Sequence, residues 1–403
     1  MKPASFEKIF RIDPRTLALF RICLGMAVAS AYLSLLGDLR SFFTDFGVLP
    51  WAPFISQIRP LWSVSVFLSN PAAGMITFFF FLAILFSLAL AVGWKTRASA
   101  FLTWFFLSSL HARNPYLWHA GDQVLRCLAF WAMFLPLGEK YAWDAPKTLQ
   151  AKKGWDLAAL ALKANILIIF IFAGSSLSNK ALLAAPVLML LPFLPSIAWK
   201  RLAGVPPIQR VGDIIAQVLT RPWILGAAPA RNPLDSFVRR ISGGLAVLFT
   251  VFFLYLNITA HPAAPRPAML EALNTAVFSH HPWKDLAIGR VSASEGWYAV
   301  VGTMKSGATM DIFSAKPVDW ENRSGASKLY RGLRWRILIA RLIENDSKAL
   351  SYYFLRFATE NWNQLSSGVI DVERSELYLI QPSADGAPQK NLKIAYQPRP
   401  ATK

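Results

Sequence analysis

Long uninterrupted runs of apolar residues constrain this chain more than any other feature of its sequence. Leu17–Leu36 and Ala72–Val92 each approach the roughly 20 residues that a helix needs to cross a hydrocarbon layer about 30 Å thick. Backbone N–H and C=O groups cannot stay unpaired in hydrocarbon, so a run that crosses it has to be helical. These runs therefore predict membrane-spanning helices.

Seven such runs are predicted to form a polytopic helical bundle. The third and fourth are short and are joined by the polar stretch His111–Asp122, so either their helices extend through it or polar groups lie at membrane depth. Before the second run, Ser41–Asn70 combines proline with tryptophan, which is typical of an interfacial or re-entrant segment. In chain order, the predicted spans are Leu17–Leu36, Ala72–Val92, Ala98–Leu110, Val124–Leu137, Leu157–Ser175, Ala181–Trp199 and Ile241–Ile258.

The apolar runs divide the chain into two parts of different composition. Only 16% of the residues are charged and the mean hydropathy is +0.37, but the apolar excess is confined to residues 1–260. Residues 261–403 have the composition of a water-soluble domain. We therefore predict a mostly α membrane protein, with a helical transmembrane domain over 1–260 and an extracytoplasmic α+β domain over 261–403.

Local patterns in the second part predict its elements. Trp297–Met304 and Thr309–Phe313 flank Lys305-Ser-Gly307, which indicates a β-hairpin. Helical patterns follow, and after them two more strands. The predicted helices are Lys328–Ile343 and Ala349–Leu365, and the predicted strands are Val372–Ile380 and Asn391–Tyr396.

The distribution of basic residues predicts the orientation of the bundle. The net charge is +19, and lysine and arginine concentrate in alternate connections, such as Lys200–Arg240, as expected of cytoplasmic loops. The opposite connections hold only Arg40, Arg59, Arg113 and Lys180. This places the N-terminus in the cytoplasm and the C-terminal domain in the periplasm, for a multi-pass protein of a bacterial inner membrane. The bilayer accounts for the charge better than nucleic acid does, because no basic stripe is interleaved with aromatic residues.

Ionisable residues near the apolar runs are costly to bury and usually have a partner or face a cavity. Arg21 is expected to bind a carboxylate or the C-terminal end of a helix. Asp122 and Arg126 are four residues apart, so they share one helical face and can form an ion pair. We favour a structural role for that pair, in fixing helix packing, over a role in a functional pocket.

Other polar residues complete a candidate cluster, which forms either a pocket or a structural polar group. His111 and His119 have no cysteine or carboxylate at the spacing of a metal site, so no metal is predicted and both are expected to form hydrogen bonds within the polar stretch. The members of the cluster are Arg21, His111, Arg113, Asn114, His119, Asp122 and Arg126.

The same stretch resembles a known family, the bacterial HTTM-domain membrane proteins, which are related to vitamin K-dependent gamma-glutamyl carboxylase. The resemblance is densest from about residue 7 to 175. It is carried by Ser108–Pro115, by Gly121-Asp-Gln-Val-Leu-Arg126 and by Phe130–Gly138, and it returns in the tail at Arg334-Trp-Arg336 and Asn361-Trp-Asn363.

The resemblance implies an enzymatic activity, but this chain departs from the family pattern at the residue that would carry it. Carboxylase-like members would use a lysine base to deprotonate a reduced quinone, and that lysine follows a Phe-Ala-Gly motif by three positions. Here Phe172-Ala-Gly174 is present, but the third position is Leu177 and the nearest lysine is Lys180. An internal block of the family pattern, with the base and about two helices, is therefore interpreted as missing.

Two hypotheses of different classes follow. The favoured one is a non-catalytic or degenerate HTTM-like membrane protein that anchors a periplasmic domain, which binds a protein or peptide partner. The alternative is a quinone-linked, carboxylase-like enzyme, with reduced quinone as cofactor, Lys180 as base, and Arg113, Asp122 and Arg126 shaping a polar pocket.

Overall fold

A computed structural model describes most of the helices that the sequence predicts, and it also describes much of the C-terminal domain. The described residues are 12–58, 65–143, 145, 157–173, 189–193, 234–258, 269, 296–321, 332–366, 370–381 and 388–398. The helices are α1 (Pro14–Leu35), α2 (Leu39–Phe43), α3 (Trp51–Pro53), α4 (Ala73–Val92), α5 (Thr96–Arg113), α6 (Ala120–Ala132), α7 (Leu157–Ala173), α8 (Leu234–Ile258), α9 (Leu333–Asn345) and α10 (Lys348–Ser366). The strands are β1 (Trp297–Met304), β2 (Thr309–Asp311), β3 (Val372–Gln381) and β4 (Gln389–Tyr396).

Two of the described helical segments are long and apolar enough to cross a membrane, by length and composition. They are Pro14–Phe43, with 30 residues including α1 and α2, and α4, with 20 residues. The shorter apolar stretches Leu157–Ile169 and Ile241–Tyr255 lie in α7 and α8. The fold is therefore mostly helical, with two membrane-length helices, and the arrangement of seven spans remains a prediction.

Local sequence sets the limits of the two long helices. Asp13 caps α1 by accepting a hydrogen bond from the Arg15 N–H at 2.8 Å, and Pro14 suits the first helical position. The helix α4 ends at Gly93, whose φ of +89° is readily adopted only by glycine. A Cβ atom at Gly93 would also lie 2.6 Å from Arg21 Nη1, so this position has no room for a side chain.

The bundle core depends on a close approach between α1 and α4. A Cβ atom at Gly25 would lie 2.5 Å from the Ser87 carbonyl oxygen, so only glycine allows the two backbones to meet there. Outside this contact, large apolar side chains face away from the core, among them Leu33 on α1 and Phe81 on α4. Such apolar outer faces are typical of helices that lipid surrounds.

Short helical turns replace a long helix in the connection between α2 and α4. The described part contains α3, a π-helical turn at Phe54–Ile58 and a 3-10 turn at Val66–Leu68. Phe54 and Phe67 are fully buried against the bundle. This part of the predicted interfacial segment thus packs on the helices instead of adding another long one.

The bundle has two ends that differ in what covers them. The domain-facing end includes Asp38–Phe46 and the turn from Asn114 to Asp122, and the C-terminal domain contacts both segments. At the opposite end, the connection after α6 lies against the ends of α1 and α4, where the Trp143 N–H donates to the Val92 carbonyl at 3.2 Å.

The C-terminal domain contains a four-stranded antiparallel sheet in the order β2-β1-β3-β4. The predicted hairpin is confirmed: Thr303 pairs with Thr309, and Gly307 has a φ of +82° in the turn. The predicted helices and the two later strands are also confirmed, with shifts of a few residues at their ends.

Alternating side chains give the sheet two different faces. Tyr298, Val300 and Leu377 belong to the main core together with α9 and α10, while Trp297 and Val301 belong to a smaller cluster on the other face. The main core continues without a break into the bundle, where Phe42 and Trp335 lie 4.6 Å apart between ring centroids. The domain and the helices are therefore packed as one body, and the predicted boundary after residue 260 stays untested.

Candidate functional site

The N-terminus of α6 is built around His119 and Asp122. His119 Nδ1 accepts a hydrogen bond from the Gly121 N–H at 2.9 Å, and an Asp122 carboxylate oxygen accepts one from the His119 N–H at 3.0 Å. This reciprocal capping box satisfies backbone donors that the first turn of a helix leaves unpaired. It also fixes the Asp122 carboxylate toward the C-terminal domain.

Asp122 forms the main ionic contact between the bundle and the domain. Both of its carboxylate oxygens accept hydrogen bonds from Arg334 at the start of α9, one of them from Nη2 at 2.7 Å. Arg334 Nη1 also donates to the Leu117 carbonyl at 3.0 Å, and the guanidinium lies 5.1 Å from the Trp118 ring centroid. Burial acts to raise the pKa of Asp122, but the charge of Arg334 holds it well below its usual range. The carboxylate is therefore ionised near neutral pH when the domain is docked.

The expected ion pair between Asp122 and Arg126 is wrong. Arg126 Nε donates instead to Ser108 Oγ on α5 at 3.0 Å, and Asp122 faces Arg334. The two residues share a helical face, but a bidentate contact with a guanidinium from the domain is geometrically stronger than an i, i+4 pair. Asp122 thus joins two parts of the chain, whereas Arg126 joins α6 to α5.

His111 is the least satisfied member of the predicted cluster. Its ring stacks on Trp118 with centroids 4.2 Å apart, and the residue is 3% exposed. In the described part of the chain, neither ring nitrogen has a hydrogen-bond partner, which is contrary to the expectation from the sequence. A buried imidazole of this kind can donate to or accept from a polar group that enters the site.

The structure separates the remaining predicted residues. Asn114 Nδ2 donates to the Phe42 carbonyl at 3.0 Å, and Arg113 Nη2 donates to the Leu49 carbonyl at 3.0 Å, on another face of α5. Arg21 lies at the opposite end of the bundle, where Nη1 donates to the Leu137 carbonyl at 3.0 Å and Nη2 to the Tyr141 carbonyl. Both carbonyls belong to the connection after α6, which ends at Ala132, so these two hydrogen bonds go neither to a carboxylate nor to the last turn of a helix. Lys180 lies outside the described residues.

We use the name junction cluster for the residues that the structure brings together between α5, α6 and α9. Two of them, Trp118 and Arg334, were not predicted as site residues, although Arg334-Trp-Arg336 was among the segments that the sequence analysis singled out. Trp335 supports the cluster by donating from Nε1 to Asp38 Oδ1 at 3.1 Å. The junction cluster is His111, Trp118, His119, Asp122, Arg126 and Arg334.

The chemistry of the junction cluster follows from its charges. The cluster combines two guanidinium groups, one carboxylate and a buried imidazole, and this set of donors suits a polar or anionic group better than a cation. Among the described residues, no group of three or more histidine, cysteine, aspartate or glutamate side chains could hold a metal ion.

Comparison of the chain with protein-family models, with curated proteins and with solved structures gives no significant match.

Proposed function

We propose that the chain is a polytopic inner-membrane protein with an HTTM-like bundle of seven helices, which holds a partner-binding domain at the periplasmic surface. The observation that carries this proposal is the sorting of segments between the two ends of the bundle. Asp38–Phe46 and His111–Asp122, which are predicted to lie outside, meet at one end together with the C-terminal domain. Val92–Arg97 and Leu137–Tyr141, which are predicted to lie in the cytoplasm, meet at the other.

The contacts at the domain-facing end support an anchoring role. In addition to the Asp122–Arg334 pair, Arg40 Nη2 donates to Gln364 Oε1 at 2.7 Å and Phe46 packs on Phe357 at 5.9 Å between centroids. Polar and aromatic contacts lie along α2 and the turn that follows it, and the ionic contact lies on α6. Such a surface fixes the orientation of a domain, whereas a flexible tether would leave it free.

Exposed apolar side chains on the domain support a binding role. Leu365 is 73% exposed at the end of α10, and Ile370 is 51% exposed just before β3. They are close together, because Trp362 Nε1 donates to the Ile370 carbonyl at 3.0 Å. The proposed partner is a protein or peptide that covers this apolar surface.

Side-specific labelling tests the membrane arrangement. Lys95 at the opposite end and Leu392 on β4 are both exposed, so each is replaced by cysteine in a chain in which Cys23 and Cys127 are alanine. In intact spheroplasts, we expect a membrane-impermeant maleimide to label Leu392→Cys at once and Lys95→Cys only after permeabilisation. Labelling of both positions from the same side would contradict the proposal.

A quinone-linked, carboxylase-like enzyme is the second candidate. His111 favours it, since a buried imidazole that has no hydrogen-bond partner among the described residues is available to a polar ligand. The test is to purify the protein in detergent and to extract and identify any bound quinone, with Lys180→Ala as the variant. Stoichiometric bound quinone, together with loss of quinone turnover in Lys180→Ala, would support the enzyme hypothesis. Absence of bound quinone would leave only the anchoring role.

A further inference from the structure

A second buried polar site lies in the last turn of α5, away from the junction cluster. Arg113 is fully buried there. Its Nη2 donates to the Leu49 carbonyl at 3.0 Å, and its guanidinium lies 5.7 Å from the centroid of the Phe54 ring. The other two nitrogens, Nε and Nη1, have no hydrogen-bond partner within the described chain. The guanidinium is thus held by one carbonyl and one aromatic ring while two of its donor atoms are unused.

Ser109 provides an independent sign of the same site. It lies four residues before Arg113, so the two side chains project from one face of α5. The Ser109 hydroxyl is fully buried and also lacks a hydrogen-bond partner among the described residues. Ser65 crosses this face, since its hydroxyl donates to the Ser109 carbonyl at 2.6 Å. Two neighbouring polar groups are therefore buried with unused hydrogen-bonding capacity.

In the part of the chain that the structure describes, the charge of Arg113 is not balanced by an ion pair. Asp45 acts on the guanidinium through its charge, but one of its carboxylate oxygens accepts the Trp51 N–H at 2.9 Å. Within the described residues, no carboxylate reaches ion-pair distance of Arg113. A buried guanidinium is stable only if most of its donors and its charge meet a partner.

We propose that Arg113 and Ser109 bind an oxyanion, either the phosphate of an anionic lipid headgroup or a free anion such as inorganic phosphate. Nε and Nη1 of Arg113 supply charged donors, and the Ser109 hydroxyl supplies a neutral one, which together match the acceptor oxygens of such a group. The site lies at the domain-facing end, beside the segment that the sequence predicts to be interfacial. This inference goes beyond the proposed function and depends only on the packing of α5 against Leu49 and Phe54.

The test uses the full chain purified in detergent. Its thermal unfolding is followed during titration with sodium phosphate, against sodium chloride at matched ionic strength. In a second arm, the protein is reconstituted into nanodiscs of phosphatidylglycerol or of phosphatidylcholine. It is then extracted again with detergent and analysed for retained lipid by mass spectrometry. Saturable stabilisation by phosphate identifies a free anion, whereas selective retention of phosphatidylglycerol identifies a headgroup.

Three variants make the result specific. Arg113→Gln removes the charged donors, Ser109→Ala removes only the hydroxyl, and Arg374→Gln removes an exposed arginine of β3 as a control. We expect loss of binding in Arg113→Gln, a dissociation constant raised about tenfold in Ser109→Ala, and wild-type binding in Arg374→Gln.

Two results would overturn the proposal. The first is that neither phosphate nor phosphatidylglycerol binds the wild-type protein saturably. The second is that Ser109→Ala binds as tightly as the wild type, and this variant keeps the test open if Arg113→Gln does not fold. Either result is independent of the labelling experiment, so failure of this site and failure of the membrane arrangement are distinguishable.

Discussion

The two ends of the bundle bury arginine in different ways. At the opposite end, Arg21 donates to the Leu137 and Tyr141 carbonyls, so a connection of the bundle itself closes that end. At the domain-facing end, Arg334 comes from the C-terminal domain to meet Asp122, and two donor atoms of Arg113 have no partner within the described residues. The first end is closed by a connection of the bundle itself. The second is completed by a distant part of the chain, which is why we place function there.

Removal of the carboxylate at the domain-facing end is expected to have the largest effect. Asp122→Ala leaves Arg334 buried without its counter-charge, which should lower the free energy of unfolding by about 3–5 kcal/mol. Chemical unfolding in detergent measures this loss. The double variant Asp122→Ala/Arg334→Ala should lose less than the sum of the two single variants. Additive losses would mean that the two side chains do not act as a pair.

At the opposite end, Arg21→Met should cost somewhat less. Methionine fills the space of the side chain without leaving a buried charge, but the Leu137 and Tyr141 carbonyls lose their donors. We expect a loss of about 2–3 kcal/mol in the free energy of unfolding, measured in the same way. An unchanged free energy of unfolding would show that the connection after α6 does not need the hydrogen bonds from Arg21.

Acidification to pH 3 should weaken the domain-facing end by a smaller amount than Asp122→Ala does, because the unfolded chain takes up the proton while the folded carboxylate keeps its charge and its side chain. The folded-state pKa of Asp122 lies well below its usual range, so its contribution is complete above the unfolded pKa of about 4 and is lost as pH falls further. The free energy of unfolding measured from pH 7 to pH 3 should fall less steeply in Asp122→Asn. Identical pH profiles for this variant and the wild type would contradict the assignment.

The smallest expected effect comes from Trp335→Phe. Phenylalanine keeps the aromatic contact with Phe42 but loses the hydrogen bond from Nε1 to Asp38. The expected loss is about 1 kcal/mol, seen as a small decrease in the unfolding midpoint. A loss as large as that of Asp122→Ala would mean that the indole N–H, and not the ion pair, holds the domain.

How far the sequence predicted each region depended on the range of the interactions. The hairpin at Lys305–Gly307 and the helix α10 follow from turn residues and periodicity within a few positions, so their prediction was accurate. The partner of Asp122 lies 212 residues away, and no local pattern identifies it. The i, i+4 rule therefore favoured Arg126 as the partner of Asp122, because this spacing brings the two side chains together whenever the segment is helical.

The candidate site was predicted in composition but not in arrangement. The sequence grouped Arg21, Arg113 and Asp122 as one polar cluster, because all are ionisable groups in or beside apolar runs. The structure distributes them over two ends and two faces of the bundle. Packing of α1 against α4 and rotation of α5 decide which of these side chains meet, and neither is determined by spacing along the chain.

A distance measurement between spin labels tests the central claim, that the C-terminal domain is fixed to one end of the bundle, most directly. Labels are attached at Leu33→Cys on α1 and Leu392→Cys on β4, both exposed positions, in the chain in which Cys23 and Cys127 are alanine. Pulsed electron paramagnetic resonance of the protein in nanodiscs should give one narrow distance distribution. This distribution should broaden when the chain also carries Asp122→Ala. A broad distribution in the absence of Asp122→Ala would contradict the claim, because it would show a domain that moves freely relative to the helices.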